Sequence, residues 1–512
     1  MSLCIGKPSE KSCYDDNPSS RPLAATQKAA GAATLSSCIL NLGNTIVGAG
    51  MLGLPGAFVG TGWLGGIILL IVGATLSSHG LILLAKSATL SGLPSSFYTV
   101  AHAAVPQYTV LIDAAVALKC FGVATGYLIT VGDCMVDACY QVISAAGDDD
   151  GGEFNLVERL VLSRRFWVAA AVFGVLPLSF HTTLDSLKHT SALALVFVFF
   201  TVLGIVAYYL GLVDPCEGYG DEICIGEIAP LTDMASTFRK IPIFIFAFTC
   251  QQNVFPVVNE IKDRSKKRIF TVIVAAILGS LLIFLIVAIY GYGTYGSLMK
   301  GDIVLNYPET SNVTIMRICI ASMLILHYPL QLDPSRRCIL TLVSTARRFF
   351  KVRRECEVNA KLIDYVTSSK HSPFAEFSNA DNVNPGVNYG GLNTVDHGNE
   401  NNVGGNTGRV AVQSVLDEGT AVQEKDLPFY VITISFLLFS FFIAMVESDL
   451  GLVLSLVGAT GSTLVSYVLP GLIYVKLHEP LDASKICAYI QLGLGCFIMP
   501  TALYFILSGS DT

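Results

Sequence analysis

Residues 44–55 read Asn44-Thr45-Ile46-Val47-Gly48-Ala49-Gly50-Met51-Leu52-Gly53-Leu54-Pro55 and lie inside an apolar segment long enough to cross a lipid bilayer. The stretch combines several glycines with a proline, and both residue types weaken the hydrogen-bond ladder of a helix. A membrane tolerates such an interruption only where the released backbone groups face protein or a water-filled cavity. The stretch therefore predicts a membrane-spanning helix that is broken at the depth of the bilayer.

The composition is that of a chain that lies mostly in lipid. Hydrophobic residues make up 52% of the 512 residues and charged residues only 14%, against about 25% charged residues in soluble proteins. The net charge of −7 gives no reason to expect a nucleic-acid partner, because nucleic acids attract basic surfaces. The expected surroundings are a lipid bilayer.

Apolar segments of about 20 residues predict roughly eleven membrane spans. They lie near residues 34–60, 63–86, 108–140, 166–181, 191–213, 240–258, 268–294, 313–343, 428–447, 450–475 and 484–508. Two polar stretches, the N-terminal tail (1–33) and an Asn- and Gly-rich loop (346–426), cannot bury a core and are expected to be disordered and cytosolic. One membrane domain is expected, with spans one to eight in 34–345 and spans nine to eleven in 427–512.

Basic residues predict the orientation of the chain. They cluster in the connections that follow spans six and eight, at Lys262, Arg264, Lys266, Lys267, Arg268, Arg347, Arg348, Lys351, Arg353 and Arg354. Connections rich in Lys and Arg stay in the cytosol. The N-terminus is therefore expected to be cytosolic, and an odd number of spans leaves the C-terminus on the luminal or extracellular side.

A second interruption lies in span six, where Thr249-Cys250-Gln251-Gln252-Asn253 stands between apolar residues and Pro256. Taken alone, it is explained equally well by a proline kink whose polar residues bond to neighbouring helices. Spans one and six are corresponding members of two five-span halves. Interrupted helices at matching positions of two halves indicate an inverted-repeat transporter with its substrate site near the middle of the bilayer.

Several motifs together resemble a known family. They are residues 44–55 and 246–256, Pro177-Leu178-Ser179 followed by 184–191, and Tyr328-Pro329-Leu330-Gln331 before Pro334-Ser335-Arg336. In these residues the chain resembles the amino acid/auxin permease family. The resemblance implies an all-α polytopic membrane protein with a LeuT-type fold of five plus five inverted spans and an eleventh helix. It also implies an amino acid substrate, no cofactor and no catalysis.

Residues 119–123, 126–128 and 132–133, with the long loop after span eight, look most like the vacuolar amino-acid exporter branch of that family. The next most similar branch is that of the system A/N-type sodium-coupled neutral amino acid transporters. We therefore expect the protein in a vacuolar or lysosomal membrane, with the plasma membrane as the alternative.

An amino acid carries a carboxylate and an ammonium group, so its site needs exposed backbone amides for the first group and carbonyls or hydroxyls for the second. Broken helices supply both. Small residues leave room for the carboxylate, and nearby aromatic rings wall the side-chain pocket or serve as ordinary core packing. The candidate substrate-binding residues are Asn44, Thr45, Gly48, Ala49, Gly50, Tyr127, Phe248, Thr249 and Cys250.

Two titratable residues in the spans are candidates for ion coupling. In the sodium-coupled branch, the resemblance implies that sodium is held by the asparagine at position 44 and by a threonine at the position occupied here by His327. Imidazole is a softer ligand than a hydroxyl and titrates near neutral pH, which favours protons over sodium. Lys119 could replace the charge of a coupling cation, since a charged group within a span is expensive. The alternatives are a structural histidine, a lysine ion-paired with an acidic neighbour, and sodium coupling.

Most of the 14 cysteines lie in the spans, where they behave as small apolar residues, and their spacing indicates neither a disulfide framework nor a zinc site. Cys216 and Cys224 differ, because they flank an acidic loop on the expected non-cytosolic side. A disulfide can persist there. A disulfide and two free thiols are equally good interpretations of this pair.

One alternative belongs to another class of function. An amino-acid sensor would bind the same ligands and signal through its cytosolic tails with little flux. A channel is a weaker alternative, because the sequence contains no filter-like loop of the kind that selectivity requires.

Overall fold

The computed structural model describes residues 31, 33–48, 50–92, 94–146, 155–180, 188–217, 224–369 and 426–508. These residues are mostly helical, with an isolated bridge between Ala33 and Ile261. The α-helices are α1 Leu35–Ile46, α2 Gly50–Val59, α3 Gly62–Ser91, α4 Phe97–Ala104, α5 Thr109–Ala146, α6 Leu156–Val161, α7 Arg164–Leu178, α8 Lys188–Tyr209, α9 Met234–Ala247, α10 Val254–Glu260, α11 Lys266–Tyr295, α12 Ser311–Ser369, α13 Leu427–Val446, α14 Leu450–Val457, α15 Leu469–Leu477 and α16 Ala483–Ser508. The N-terminal tail and Ala49 lie outside the described residues, apart from 31 and 33.

The described helices account for the predicted spans. Nine are long and apolar enough to cross a membrane, with α9 and α10 counted together and α14 and α15 counted together, and the bent pair of α1 and α2 makes a tenth. The predicted fourth span corresponds to α7, whose 15 residues are fewer than the other spans contain. The protein is thus an all-α polytopic membrane protein.

The predicted break in span one is present. Helix α1 ends at Ile46 and α2 begins at Gly50, with an angle of 46° between them. The N–H of Gly48 turns back to the carbonyl of Ile46 at 2.9 Å, which no α-helical residue does. The glycines that flank the break explain why the chain gives up helical geometry here.

The predicted break in span six is also present. Helix α9 ends at Ala247, and a 3₁₀ turn over Gln251–Asn253 leads into α10. Between them the bonds are irregular: the Thr249 N–H donates to the Phe246 carbonyl at 3.0 Å, and side chains satisfy other groups. The N–H of Cys250, for example, donates to the Gln251 Oε1 at 3.0 Å.

Helix α12 is longer than the sequence indicates. It contains 59 residues and continues to Ser369, whereas the sequence-based boundary of the disordered loop is residue 346. Residues 346–369 are therefore helical, and this part of the loop assignment is corrected. The run Arg347 to Arg354 favours helix because arginine and lysine have high helix propensity. The rest of the loop lies outside the described residues.

A buried arginine ties three helices together. The Arg336 side chain of α12 is fully buried and donates to the Ser179 carbonyl at the end of α7 at 2.7 Å and to the Asp333 Oδ1 at 2.9 Å. It also donates to the Thr433 Oγ1 of α13 at 3.2 Å and lies 4.0 Å from the centre of the Phe429 ring. Charge pairing and full hydrogen bonding make such a residue tolerable in the interior.

Cys216 and Cys224 lie close together after α8. Their Cα atoms are 5.7 Å apart, a separation that a disulfide spans. The predicted pairing is therefore compatible with the backbone, and it stays a prediction.

Candidate functional site

A small pocket lies between the two broken spans. Its walls come from α1, α2 and the intervening break, from α5, from the end of α9 and from α12. The lining residues are Thr45, Ile46, Gly48, Gly50, Lys119, Val123, Tyr127, Phe246, Thr249 and Gln331. Its volume of about 10 Å³ matches the space needed for one water molecule. Its lining residues are buried, and it must expand to take an amino acid.

Lys119 is the charged residue in the pocket lining. It is 2% exposed, and its Nζ lies 3.5 Å from the Oε1 of Gln331, at the limit of a hydrogen bond. Gly461 of span ten packs against it, since a Cβ at Gly461 would lie 2.6 Å from the Lys119 Cβ. Among the described residues no carboxylate lies within ion-pair distance of Lys119, so the alternative of a structural ion pair finds no partner there.

Gln331 connects the pocket walls. Its Oε1 also accepts from the Gln252 Nε2 at 3.3 Å, and its Nε2 donates to the Tyr127 hydroxyl at 3.5 Å. The side chain therefore reaches from α12 to α5 and to the break in span six. The long distances leave room for these amides to turn towards a ligand.

His327 and Asn44 meet behind the pocket. The His327 Nε2 lies 2.6 Å from the Asn44 Oδ1, and both side chains are buried. The other ring nitrogen, Nδ1, has no hydrogen-bond partner among the described residues and lies 3.7 Å from the position that a Cβ at Gly48 would take. One residue without a side chain thus separates the imidazole from the pocket.

Hydrogen bonds join the two breaks to each other and to span ten. The Asn253 Nδ2 donates to the Thr45 Oγ1 at 3.0 Å and to the Leu330 carbonyl at 3.4 Å. The hydroxyl of Thr249 donates to the Ile245 carbonyl at 2.7 Å and accepts from the Ser466 Oγ at 3.1 Å. The polar groups that unwinding exposes are therefore held by side chains, as the low dielectric of the membrane requires.

The structure brings together many of the sequence-predicted residues. Those that line the pocket are Thr45, Gly48, Gly50, Lys119, Tyr127 and Thr249. Asn44 and His327 lie directly behind Gly48. Cys250 is buried outside the lining, and the backbone of Ala49 lies outside the described residues.

The predicted aromatic wall at Phe248 is replaced by Phe246. The Phe248 ring faces away from the pocket, towards Phe284, with ring centres 5.1 Å apart. Positions two apart on a helix point in different directions, so only one of these rings could face the site.

Sequence reasoning missed Ile46, Val123, Phe246 and Gln331 as lining residues. Val123 was detectable, because it follows Lys119 by four positions and precedes Tyr127 by four, which places all three on one face of α5. Gln331 could also have been proposed, because it is a polar amide within a membrane span. Ile46 carried no such signal.

The two spans that carry the breaks pack closely against other parts of the chain at both ends. At one end the chain before α1 pairs with the chain after α10: the Ala33 N–H donates to the Glu260 carbonyl at 2.9 Å, and the Lys262 N–H donates to the Ala33 carbonyl at 3.0 Å. We call these two bonds the main-chain latch. At the other end Gly56 packs so tightly that a Cβ there would lie 2.4 Å from the Lys300 carbonyl oxygen.

The site suits a zwitterion. Helix α2 begins at Gly50, so the positive end of its dipole points into the pocket beside the Lys119 ammonium. Hydroxyls of Thr45 and Thr249 and the Gln331 amide line the remainder. Within the described ranges no group of His, Cys, Asp or Glu is arranged to hold a metal ion.

A polar pocket at the meeting point of two broken membrane helices is typical of one class of protein, the membrane transporters. The fold agrees with a solved member of that class. Mhp1, a nucleobase-cation-symport-1 family transporter, superposes with a TM-score of 0.52 at 12% identity, over 96% of this chain and 93% of that one.

The chain belongs to a family of known activity, because the family "Transmembrane amino acid transporter protein" matches residues 31–509. Vacuolar amino acid transporter 5 of Schizosaccharomyces pombe is 31% identical over 466 residues, which cover 89% of this chain and 88% of that protein. Vacuolar amino acid transporter 7 of Saccharomyces cerevisiae is 31% identical over 86% of this chain and 88% of its own length. Sodium-coupled neutral amino acid symporter 2 of Danio rerio is 26% identical over 65% of this chain and 68% of its own. The predicted family is thereby confirmed. The chain is similar to vacuolar amino acid transporters and, at lower identity, to sodium-coupled ones, as predicted.

Proposed function

We propose that this protein is a proton-coupled, sodium-independent amino acid transporter of the vacuolar membrane. Its N-terminus faces the cytosol and its C-terminus the lumen. The location is supported by relatives that are named vacuolar transporters. The observation that carries the coupling proposal is the buried contact of the His327 imidazole with Asn44, beside a pocket that holds Lys119.

In this proposal the substrate lies between the two breaks. Its carboxylate meets the N-terminal end of α2 at Gly50 and the Lys119 ammonium, where positive potential is highest. The Gly48 amide joins them once it releases the Ile46 carbonyl. The substrate ammonium meets the hydroxyls of Thr45 and Thr249 and the carbonyls that unwinding frees.

Transport requires the pocket to open alternately to the two sides. We assign α1–α2 and α9–α10 as corresponding members of two inverted five-span halves, which move together against the remaining spans. Opening towards the cytosol separates the two strands of the main-chain latch. The pocket then gains the volume that an amino acid needs.

Protons act at His327. The Asn44 oxygen accepts from Nε2, and Nδ1 has no partner in the described part of the chain, so Nδ1 is the position at which a proton binds beside the substrate site. Lys119 supplies a fixed positive charge near the carboxylate, which a sodium ion would otherwise supply. Arrival and departure of the proton change the charge of the pocket between the two open states.

Sodium coupling is the second candidate, and one observation favours it. A relative with 26% identity is named a sodium-coupled symporter, and Asn44, whose side-chain oxygen suits sodium, lies in the last turn of α1 beside the break. Against it stands the imidazole of His327, which lies where sodium would need an oxygen ligand.

The test is counter-flow in proteoliposomes with a panel of labelled amino acids. The proposal expects accumulation that persists when choline replaces sodium and that rises with an imposed pH gradient. A protein that binds an amino acid and accumulates none is a sensor. Accumulation that collapses in choline assigns the protein to sodium coupling.

A further inference from the structure

A second cavity lies far from the substrate pocket, between α3 and α11. Its volume is about 310 Å³, and it lies where α3 approaches its C-terminal end and α11 begins. Its interior is apolar, with Ile82 on one wall and Ile269 and Ile273 on the other. A cavity of this size takes a substantial part of an acyl chain.

Lysines surround the mouth of this cavity. They are Lys86 of α3 and Lys266 and Lys267 of α11, and both lysines of α11 are exposed. The orientation proposed above places all three at the cytosolic surface of the bilayer, at the level of the lipid head groups. A basic rim over an apolar cavity at this depth is suited to an anionic lipid.

None of the three ammonium groups forms an ion pair with a carboxylate among the described residues, although Asp482 interacts electrostatically with Lys86. Lys86 donates to the Ser484 Oγ at 3.0 Å and lies 5.7 Å from the Tyr474 ring, which are neutral partners. Asp263 pairs with Arg268 at 3.8 Å, and Asp482 lies 3.3 Å from His478. The three lysines therefore leave the rim with a net positive charge, which favours a ligand that brings negative charge.

We propose that this cavity binds an anionic phospholipid, with an acyl chain between α3 and α11 and the phosphate held by Lys86, Lys266 and Lys267. The positive charge of the lysines favours an anionic head group. The apolar walls favour a ligand with an acyl chain over a free phosphate. A lipid seated here stabilises the contact between span two and span seven.

The full-length protein in detergent tests the proposal, with thermal unfolding measured in the presence of dioleoyl phosphatidylinositol or dioleoyl phosphatidylcholine. Phosphatidylinositol is expected to raise the unfolding temperature more than phosphatidylcholine does. The triple variant Lys86→Gln/Lys266→Gln/Lys267→Gln should lose this difference. The matched control Lys351→Gln/Arg353→Gln/Arg354→Gln, which removes as many exposed cations from α12, should keep it.

A second variant tests the proposal independently, in case the triple variant fails to fold. Ile82→Trp fills the cavity and keeps every charge, so it should abolish protection by the lipid while the rim remains basic. Glycerophosphoinositol, which lacks acyl chains, should protect neither the wild-type protein nor any variant. The proposal is overturned if the triple variant and Ile82→Trp keep full protection, if glycerophosphoinositol protects as well as the lipid, or if the wild-type protein does not distinguish the two lipids.

Discussion

The imidazole of His327 and the amide of Asn44 are joined by a hydrogen bond of 2.6 Å between the Nε2 and Oδ1 atoms, across more than 280 residues of sequence. An amide oxygen only accepts hydrogen bonds, so Nε2 carries the hydrogen, and the Nδ1 of a neutral ring keeps its lone pair. Nδ1 lies 3.7 Å from the position that a Cβ at Gly48 would take. The break in span one and the histidine of span eight therefore form one unit.

Removing either coupling residue should uncouple transport from protons. In His327→Ala and in Lys119→Ala we expect amino acid flux to lose most of its response to an imposed pH gradient, because the proton site or the fixed charge is gone. Labelled uptake at several external pH values measures this response. His102→Ala, on the short helix α4, is the control and should behave as wild type. A pH response that survives in both pocket variants would contradict the assignment.

A side chain at the break of span one should block the substrate site. We expect Gly48→Val and Gly50→Val to abolish uptake at normal membrane expression, because a Cβ at these positions would lie 2.8 Å from the Tyr127 hydroxyl and 2.9 Å from the Ala247 Cα. Gly43→Ala is the control, since a Cβ there meets nothing within 4 Å. Normal uptake by both valine variants would show that the substrate does not bind at this break.

The same geometry predicts a rescue. Gly48→Ala should lose most uptake, whereas Gly48→Ala/Tyr127→Phe should regain part of it, since removing the hydroxyl leaves the ring carbon at 3.5 Å, an ordinary contact. Uptake by the single and double variants at equal expression measures the effect. Equal activity of the two would show that the hydroxyl is not the obstacle.

The orientation can be tested in sealed vesicles. A protease site introduced near Gly404 should be cut from the cytosolic side, because the Arg- and Lys-rich segment at 347–354 precedes it. Vesicles opened with detergent provide the control for cleavage itself. Cutting confined to the luminal side would invert the topology.

Arg336 should be important for stability. Replacing it by Gln leaves Asp333 with one cationic partner fewer and the Ser179 carbonyl without its donor, a change that costs about 3–5 kcal/mol for buried pairs. Thermal unfolding followed by size-exclusion chromatography measures the loss. Arg347→Gln, exposed on the same helix, should unfold at the wild-type temperature, and an equal result for Arg336→Gln would refute the role.

Stability should depend on pH through Asp302, in the connection between α11 and α12. Burial is the main cause that raises the pKa of Asp302 from 3.8 to about 7. A hydrogen bond from the Val304 N–H opposes this shift, as does the positive charge of Arg317, whereas the negative charges of Asp133 and Asp137 add to it. The folded protein therefore favours the protonated carboxyl. Its contribution to stability is complete below about pH 3.8 and is lost as the pH rises towards 7.

Unfolding temperatures between pH 4 and 8 test this pH dependence. Each unit of pKa difference corresponds to about 1.4 kcal/mol. Asp302→Asn keeps the acceptor oxygen for Val304 and should flatten the decline in this range. Glu309→Gln, an exposed carboxyl on the same connection, should leave the decline unchanged. A decline that persists in Asp302→Asn would assign it to another group.

The spans and both breaks could be predicted because glycine, proline and mid-membrane polar residues report directly on backbone geometry. Side-chain direction was harder to predict. Phe246 and Phe248 have the same chemistry, and only the exact end of α9 decides which ring faces the pocket. Gln331 was missed as a lining residue because its role depends on the packing of α12 against α5. The extension of α12 beyond residue 346 was missed because a polar, charged helix in water has no hydropathy signal.

The main-chain latch does not depend on the identity of the side chains that carry it. Its two bonds use only the backbone atoms of Ala33, Glu260 and Lys262, so almost any residue at these positions can form them. Alanine scanning will therefore not detect the latch. The residues at these positions can change during evolution while both hydrogen bonds are kept. Only proline at position 33 or 262, or an ester in place of the amide, removes a donor from the latch.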